Sequence, residues 1–273
     1  MRNLTKIILS ILLIFIIMGC TGESGYNYIF PLQVGNRWSY QYEVRYSNFE
    51  PDSLAEQFED YTYNEFQEVV GKEVLSDTLE TYVIKYSNDL NDSETERYYR
   101  NENNGLKQYS NPSIAQRFMN SDNKFKLMFR GRSYENIGEL FSYLNGISSN
   151  HQEVHKFRNL IRIELQYPLN NDSQWFSIDE YYLKNLRKVV GFEEIEVPAG
   201  IFKCFKIEEL VDLMNDGDWE EDTLKILYFS AQGWIRGTTT YKHIQLYDED
   251  SFDEISGYLD VTIDWKLTSY SLQ

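Results

Sequence analysis

Residues 38–46 read WSYQYEVRY, with Trp38, Tyr40, Tyr42, Val44 and Tyr46 alternating with Ser39, Gln41, Glu43 and Arg45. A period of two predicts a strand with one buried face and one wet face. LDVTIDWKL (259–267) repeats the pattern with Leu259, Val261, Ile263, Trp265 and Leu267, and IRIELQY (161–167) with Ile161, Ile163, Leu165 and Tyr167. Such half-buried strands belong to antiparallel sheets, and the abundance of Tyr, Phe, Val and Ile agrees. One segment has a different period. In SYENIGELFSYLNGI, residues Ile137, Leu140, Phe141, Leu144 and Ile147 are spaced for one face of a helix, with Ser133 as the expected N-cap. A shorter helix is expected before it at PSIAQRFMN.

The strand pattern also recurs at long range. FPLQVGNRWSY (30–40) matches YPLNNDSQWFS (167–177), pairing Pro31, Leu32 and Trp38 with Pro168, Leu169 and Trp175. Val-Val-Gly follows at Val69 and again at Val189. ERYYRNENNGLKQY from Glu96 is then echoed by KILYFSAQGWIRGT from Lys225, which aligns Gly105 with Gly233. These matches lie 137, 120 and 128 positions apart and keep their order. The expectation is a degenerate repeat of a β-meander, with loop insertions accounting for the unequal offsets. Pro interrupts strand pairing, the next residues turn, and Trp opens a strand with a large anchor. The expected fold is therefore mainly β (α+β): a curved antiparallel sheet or half-barrel of two meander repeats, with one or two helices packed on it. Repeat one is expected over about 30–109, a helical insert over about 110–158 and repeat two over about 159–273.

The first residues form no part of that plan. Arg2 and Lys6 precede the apolar run Ile7–Met18, which ends at Gly19-Cys20. A basic start followed by a run this short predicts an export signal, since a spanning helix needs roughly 20 apolar residues. The ending Ile17-Met18-Gly19-Cys20 resembles the lipobox of bacterial lipoproteins. That resemblance implies cleavage after Gly19, a diacylglycerol on the Cys20 sulfur and acylation of the new amine. Residues 1–19 are then a signal peptide, 20–29 a lipidated tether and 30–273 a single β-rich domain. Thr21 follows the cysteine, which by resemblance to enterobacterial sorting implies an outer-membrane address.

Charge narrows the partners. The chain carries 26 basic and 43 acidic residues, a net charge of −17, and loss of Arg2 and Lys6 with the signal takes it to −19. Such an acidic chain repels phosphate backbones, so nucleic acid is not an expected partner, and attachment to a membrane falls to the lipid. Once Cys20 is acylated, Cys204 is the one remaining cysteine. It lies in the β-like run IFKCFKIEEL and reads as a buried, inert thiol.

Candidate chemistry is sparse. HQEVH (151–155) puts His151 and His155 four apart, as zinc ligands on a helix would be. The zincin pattern fails, because Gln152 stands where the catalytic Glu belongs; a metal-dependent hydrolase using His151 and His155 is the competing reading, with His243 or a carboxylate as third ligand. NDGDWEED (215–222) suggests calcium, but an EF-hand loop from Asp212 would put Met214 and Thr223 at ligand positions, so a hairpin loop is expected. Neither a Gly-rich phosphate loop nor a nucleophile elbow occurs.

The opening FPLxVGNxWxY after a lipobox, with VPAGIFKCFKI and YFSAQGWIRG later, resembles a set of uncharacterised envelope lipoproteins. The resemblance implies a curved antiparallel sheet around a helix, like the lipoprotein-carrier half-barrel, whose concave face holds acyl chains. The leading reading is a lipid-anchored envelope binding or scaffolding lipoprotein with no catalytic residues and no cofactor. Its expected partners are the membrane, through its lipid, and an apolar ligand or envelope protein. Trp38, Tyr40, Tyr42 and Tyr46 are the candidate ligand contacts, because a tyrosine-rich face suits a partly wet concavity better than a dry core.

Overall fold

The structure, a computed structural model, describes residues 27–75, 78–90, 94–109, 125–129, 132–134, 161–180, 183–213, 215–248 and 251–273. Fourteen strands follow in order. They are β1 (Arg37–Glu50), β2 (Tyr61–Val74), β3 (Glu80–Asn88), β4 (Glu94–Glu102), β5 (Gly105–Tyr109), β6 (Phe125–Phe129), β7 (Arg132–Tyr134), β8 (Ile161–Gln166), β9 (Gln174–Glu180), β10 (Leu183–Val197), β11 (Gly200–Asp212), β12 (Thr223–Ser230), β13 (Gly233–Asp248) and β14 (Ser251–Ser271). One 3-10 turn, Asp52–Gln57, joins β1 to β2 and buries Leu54.

All fourteen belong to one antiparallel sheet; twelve run β8-β5-β4-β3-β2-β1-β14-β13-β12-β11-β10-β9, and β6 and β7 lie off that path. β1 and β14 pair at its centre, from Arg37 opposite Ser271 to Glu50 opposite Tyr258. The sheet curls into a nearly closed barrel, so the mainly β expectation holds. Its two end strands, β8 and β9, meet without a backbone ladder. Side chains cross the gap instead: the Trp175 indole of β9 donates to the Ile163 carbonyl at 3.0 Å, and Arg187 of β10 donates to the Glu164 carbonyl.

The two meanders, β1–β5 and β9–β13, carry matching features. Trp38 and Trp175 each begin a strand and are buried. Register shifts between Val69 and Gly71 and between Val189 and Gly191 leave Val70 and Val190 as bulge residues turned outward. Gly105 and Gly233 both open the fifth strand at positive φ. At Gly105 a Cβ would lie 2.1 Å from the Leu165 carbonyl oxygen, so the close approach of β5 and β8 requires glycine.

Two sequence expectations are corrected. Ser133, the expected helix cap, lies in β7, which pairs with β6; β6 in turn extends the sheet along the far end of β13. Tyr134 of that helix also lies in β7; its residues from 135 on, PSIAQRFMN, His151, His155 and Cys20 lie outside the described residues. In β8 the simple alternation fails: Ile161 is exposed while Arg162 and Glu164 are buried. The register shifts so that Ile163 and Leu165 face consecutive residues of β5, leaving Glu164 as the extra residue of a bulge. The bulge turns residues 162 and 164 inward on one side of it and 165 and 167 on the other.

Candidate functional site

The barrel core splits into two apolar clusters. One contains Trp38, Tyr40, Val69, Leu165, Val189, Ile207, Leu227 and Phe229; the other contains Val44, Leu183, Val211, Tyr241 and Val261. Strand by strand, polar or aromatic residues occupy the inward positions between them. Glu209 separates Ile207 from Val211, Arg187 lies between Leu183 and Val189, Tyr42 separates Tyr40 from Val44, and Trp265 precedes Leu267. These positions form a belt around the inside of the barrel.

On the β8–β12 side the belt is ionic. Glu209 accepts from Lys225 Nζ at 2.8 Å, from Arg162 Nη2 at 3.1 Å, from Arg187 Nε and from the Ser177 hydroxyl at 3.3 Å. Glu164 pairs with Arg187 Nη1 at 2.8 Å and Arg162 Nε at 3.0 Å. Glu209 and Arg187 are 1% and 2% exposed. Burial alone would raise the Glu209 carboxyl, but Arg187, Lys225 and Arg162 overcome it and hold the group well below the ordinary carboxylate range. Lys225 is pushed down to about 8 by burial and by the two arginines, against the pull of Glu209. The cluster joins β8 to β10, β11 and β12, so it ties the strand at the open edge to the rest of the wall.

On the β1–β5 side the belt is aromatic. The Tyr42 ring stacks on Tyr63 at 4.8 Å and lies 6.2 Å from Trp265, which meets Tyr40 edge-on at 5.4 Å. Gly237 leaves room for that indole, since a Cβ there would lie 2.4 Å from the Trp265 ring. Hydroxyls are satisfied locally. Tyr40 donates to the Trp234 carbonyl at 3.2 Å, Tyr42 to Glu65 at 3.3 Å, and Tyr86 and Tyr99 bond at 2.8 Å. Gln67 also donates to Glu65, at 2.8 Å. The Arg97 guanidinium lies over the Tyr86 ring at 4.3 Å. Burial raises the Tyr40, Tyr42 and Tyr86 phenols, so they stay neutral donors.

The four aromatic candidates therefore divide. Trp38 and Tyr40 are each 1% exposed and serve the core; the Trp38 indole donates to the Gln232 carbonyl at 2.7 Å. Tyr42 and Tyr46 are half-buried, and Tyr46 lies 5.2 Å from Phe58. His243 is far from the belt chemistry: its side chain is 69% exposed and its Nδ1 lies 3.3 Å from Asp222. The Cys204 thiol is buried and pushed up to about 12, by burial and by Glu193, so it remains protonated. Residues 215–222 fall between β11 and β12, where Asp212 accepts from the Asp216 and Gly217 amides, as a turn requires. No group of His, Cys, Asp or Glu among the described residues is arranged to hold a metal ion.

Sequence reasoning missed Arg162, Glu164, Arg187, Glu209 and Lys225. A signal was present, since Glu209 and Arg187 occupy inward positions of otherwise apolar alternations, where an unpaired charge is almost never found.

No family model and no curated protein matches the sequence. Two crystal structures are similar in fold. One is a candidate lipoprotein of Parabacteroides distasonis, with TM-score 0.40 and 10% identity over 90% of this chain and 99% of that one. The other is a candidate exported protein with a YmcC-like fold from Bacteroides fragilis, with TM-score 0.39 and 11% identity over the same shares.

Proposed function

We propose that this protein is a lipid-anchored envelope lipoprotein whose barrel binds an apolar ligand and catalyses no reaction. The anchor reading rests on Gly19-Cys20 at the end of the apolar run. The described chain begins close to that cysteine and docks at once: Tyr28 packs edge-on against Phe205, and Phe30 is held by Tyr167 and Asn101. Eight residues from Cys20 to Tyr28 span at most about 28 Å, so the end of the barrel that contains Trp38 lies close to the bilayer.

The observation that carries binding is the wall of Tyr42, Tyr63 and Trp265. It faces inward yet stays half-buried, which a sealed apolar core would not allow. Addition of an uncharged apolar probe should quench tryptophan fluorescence, and Tyr42→Ala should weaken that quenching while the unfolding transition is retained. Cys20→Ala should abolish incorporation of labelled fatty acid and release the protein from membranes. Persistent lipid labelling of that variant would exclude Cys20 as the anchor, and wild-type protein that binds no apolar probe would exclude the ligand-binding role.

A further inference from the structure

In the ionic half of the belt every charged group has a partner, with one cation in excess. Glu209 and Glu164 are engaged by Arg162, Arg187 and Lys225, three cations to two carboxylates. Arg97 adds a fourth cation on the aromatic half. It points inward from β4, opposite Ile84 of the core. The carboxyl that acts on it, Glu65, accepts its hydrogen bonds from Tyr42 and Gln67, and Arg97 forms no ion pair within 4.0 Å among the described residues. Arg97 Nε is buried without a hydrogen-bond partner. Burial also holds the Glu65 carboxyl above the ordinary range, which weakens its compensation of the guanidinium.

A buried guanidinium donor without an acceptor is costly, and the usual remedy is a carboxylate or phosphate. Here the described neighbours are phenols: the Tyr99 hydroxyl accepts a hydrogen bond from the guanidinium, while Nε is left with none. Tyr86 lies under Arg97, and the Tyr42 hydroxyl is close enough to feel its charge. Beyond Tyr42 run Tyr63 and Trp265. The outer surface, in a chain of net charge −17, repels anions, so an anionic group gains attraction only inside the barrel.

From this juxtaposition we infer that the ligand is an anionic amphiphile, with a carboxylate or phosphate head received by Arg97 and an apolar tail laid along Tyr42, Tyr63 and Trp265. The inference rests on the reading that the barrel interior binds an apolar ligand, and adds the head-group chemistry.

The test uses the mature, anchored protein in phosphatidylcholine vesicles, with protein-free vesicles as blank. Dodecanoate, dodecyl phosphate and uncharged dodecanol are titrated against tryptophan fluorescence. One or both acids should bind about tenfold or more tightly than dodecanol, the factor that a single charge-assisted hydrogen bond contributes. Preference for the carboxylate points to a fatty acid, and preference for the phosphate to a lipid headgroup. Arg97→Met should remove the preference of the acids over dodecanol; Arg97→Lys should keep most of it. Equal binding of dodecanol and both acids in the wild type overturns the role of Arg97 while the apolar site stands. Failure of all three to bind overturns both readings. Should Arg97→Met lose its cooperative unfolding transition, the wild-type comparison and Arg97→Lys decide.

Discussion

Replacing Glu209 by glutamine keeps the shape of the side chain and removes the carboxylate that Arg162, Arg187 and Lys225 share. Removing one partner of a buried ion pair typically costs about 3–5 kcal/mol, because the other charge is left uncompensated. Part of that cost has an outlet. Lys225 already titrates at about 8, and loss of its proton would relieve the cluster at roughly 1.4 kcal/mol per pH unit. The net loss expected at pH 7 is therefore about 2–4 kcal/mol, a large share of the roughly 5–15 kcal/mol that a domain has available. Urea unfolding, followed by tryptophan fluorescence and by circular dichroism, would measure it. Lys225→Met should be costly in the wild type but nearly neutral or favourable beside Glu209→Gln, a coupling of about 1–3 kcal/mol. A Glu209→Gln loss below about 1 kcal/mol, or a Lys225→Met cost independent of Glu209, would refute the view that this network closes the barrel.

Stability should fall as pH drops below about 4.5, the ordinary carboxylate value, because Glu209 and Glu164 are both held lower in the folded state and must take up protons there. At the alkaline end, Lys225 titrates lower folded than unfolded, so between about 8 and 9, before the raised Cys204 thiol and buried phenols begin to oppose it, stability should rise; urea midpoints at about pH 3.5, 7 and 8.5 check both signs. Gly105→Ala should lower stability by roughly 1–3 kcal/mol or more, since its Cβ would strike the Leu165 carbonyl oxygen of the adjacent strand, whereas Gly71→Ala meets nothing within 4 Å and should be close to neutral; thermal melts of the two variants make the comparison.

Strands declared themselves wherever one face met the core and the other met water. Trp38–Tyr46 and Leu259–Leu267 alternate in sequence and lie in β1 and β14 as expected. That these two segments pair, with Tyr42 opposite Trp265, was not legible, because alternation specifies a face but no neighbour. β8 was misread for a related reason. A bulge costs one residue of register and leaves no mark on hydrophobicity, so Glu164 reads as solvent-facing when it is turned inward. The belt escaped notice because charges are ordinarily assigned to the wet face; only their mutual pairing makes an inward Arg187 or Glu209 tolerable, and that pairing joins residues from distant strands. The aromatic half was half-legible. The tyrosines stood out in β1, but only the structure separates Tyr40, in the core, from Tyr42, on the half-buried wall.

The central pairing of β1 with β14 governs when this molecule can exist at all. Asn36 accepts a hydrogen bond from Gln273, 237 positions later in the chain. A ribosome releasing roughly 5–20 residues per second needs about 10–50 s to supply the second partner after the first. Each meander can zip locally during that interval, but the two halves have nothing to close against until β14 emerges. Chain order thus makes β14 the last partner of β1, and until it pairs one edge of β1 stays open to chaperones.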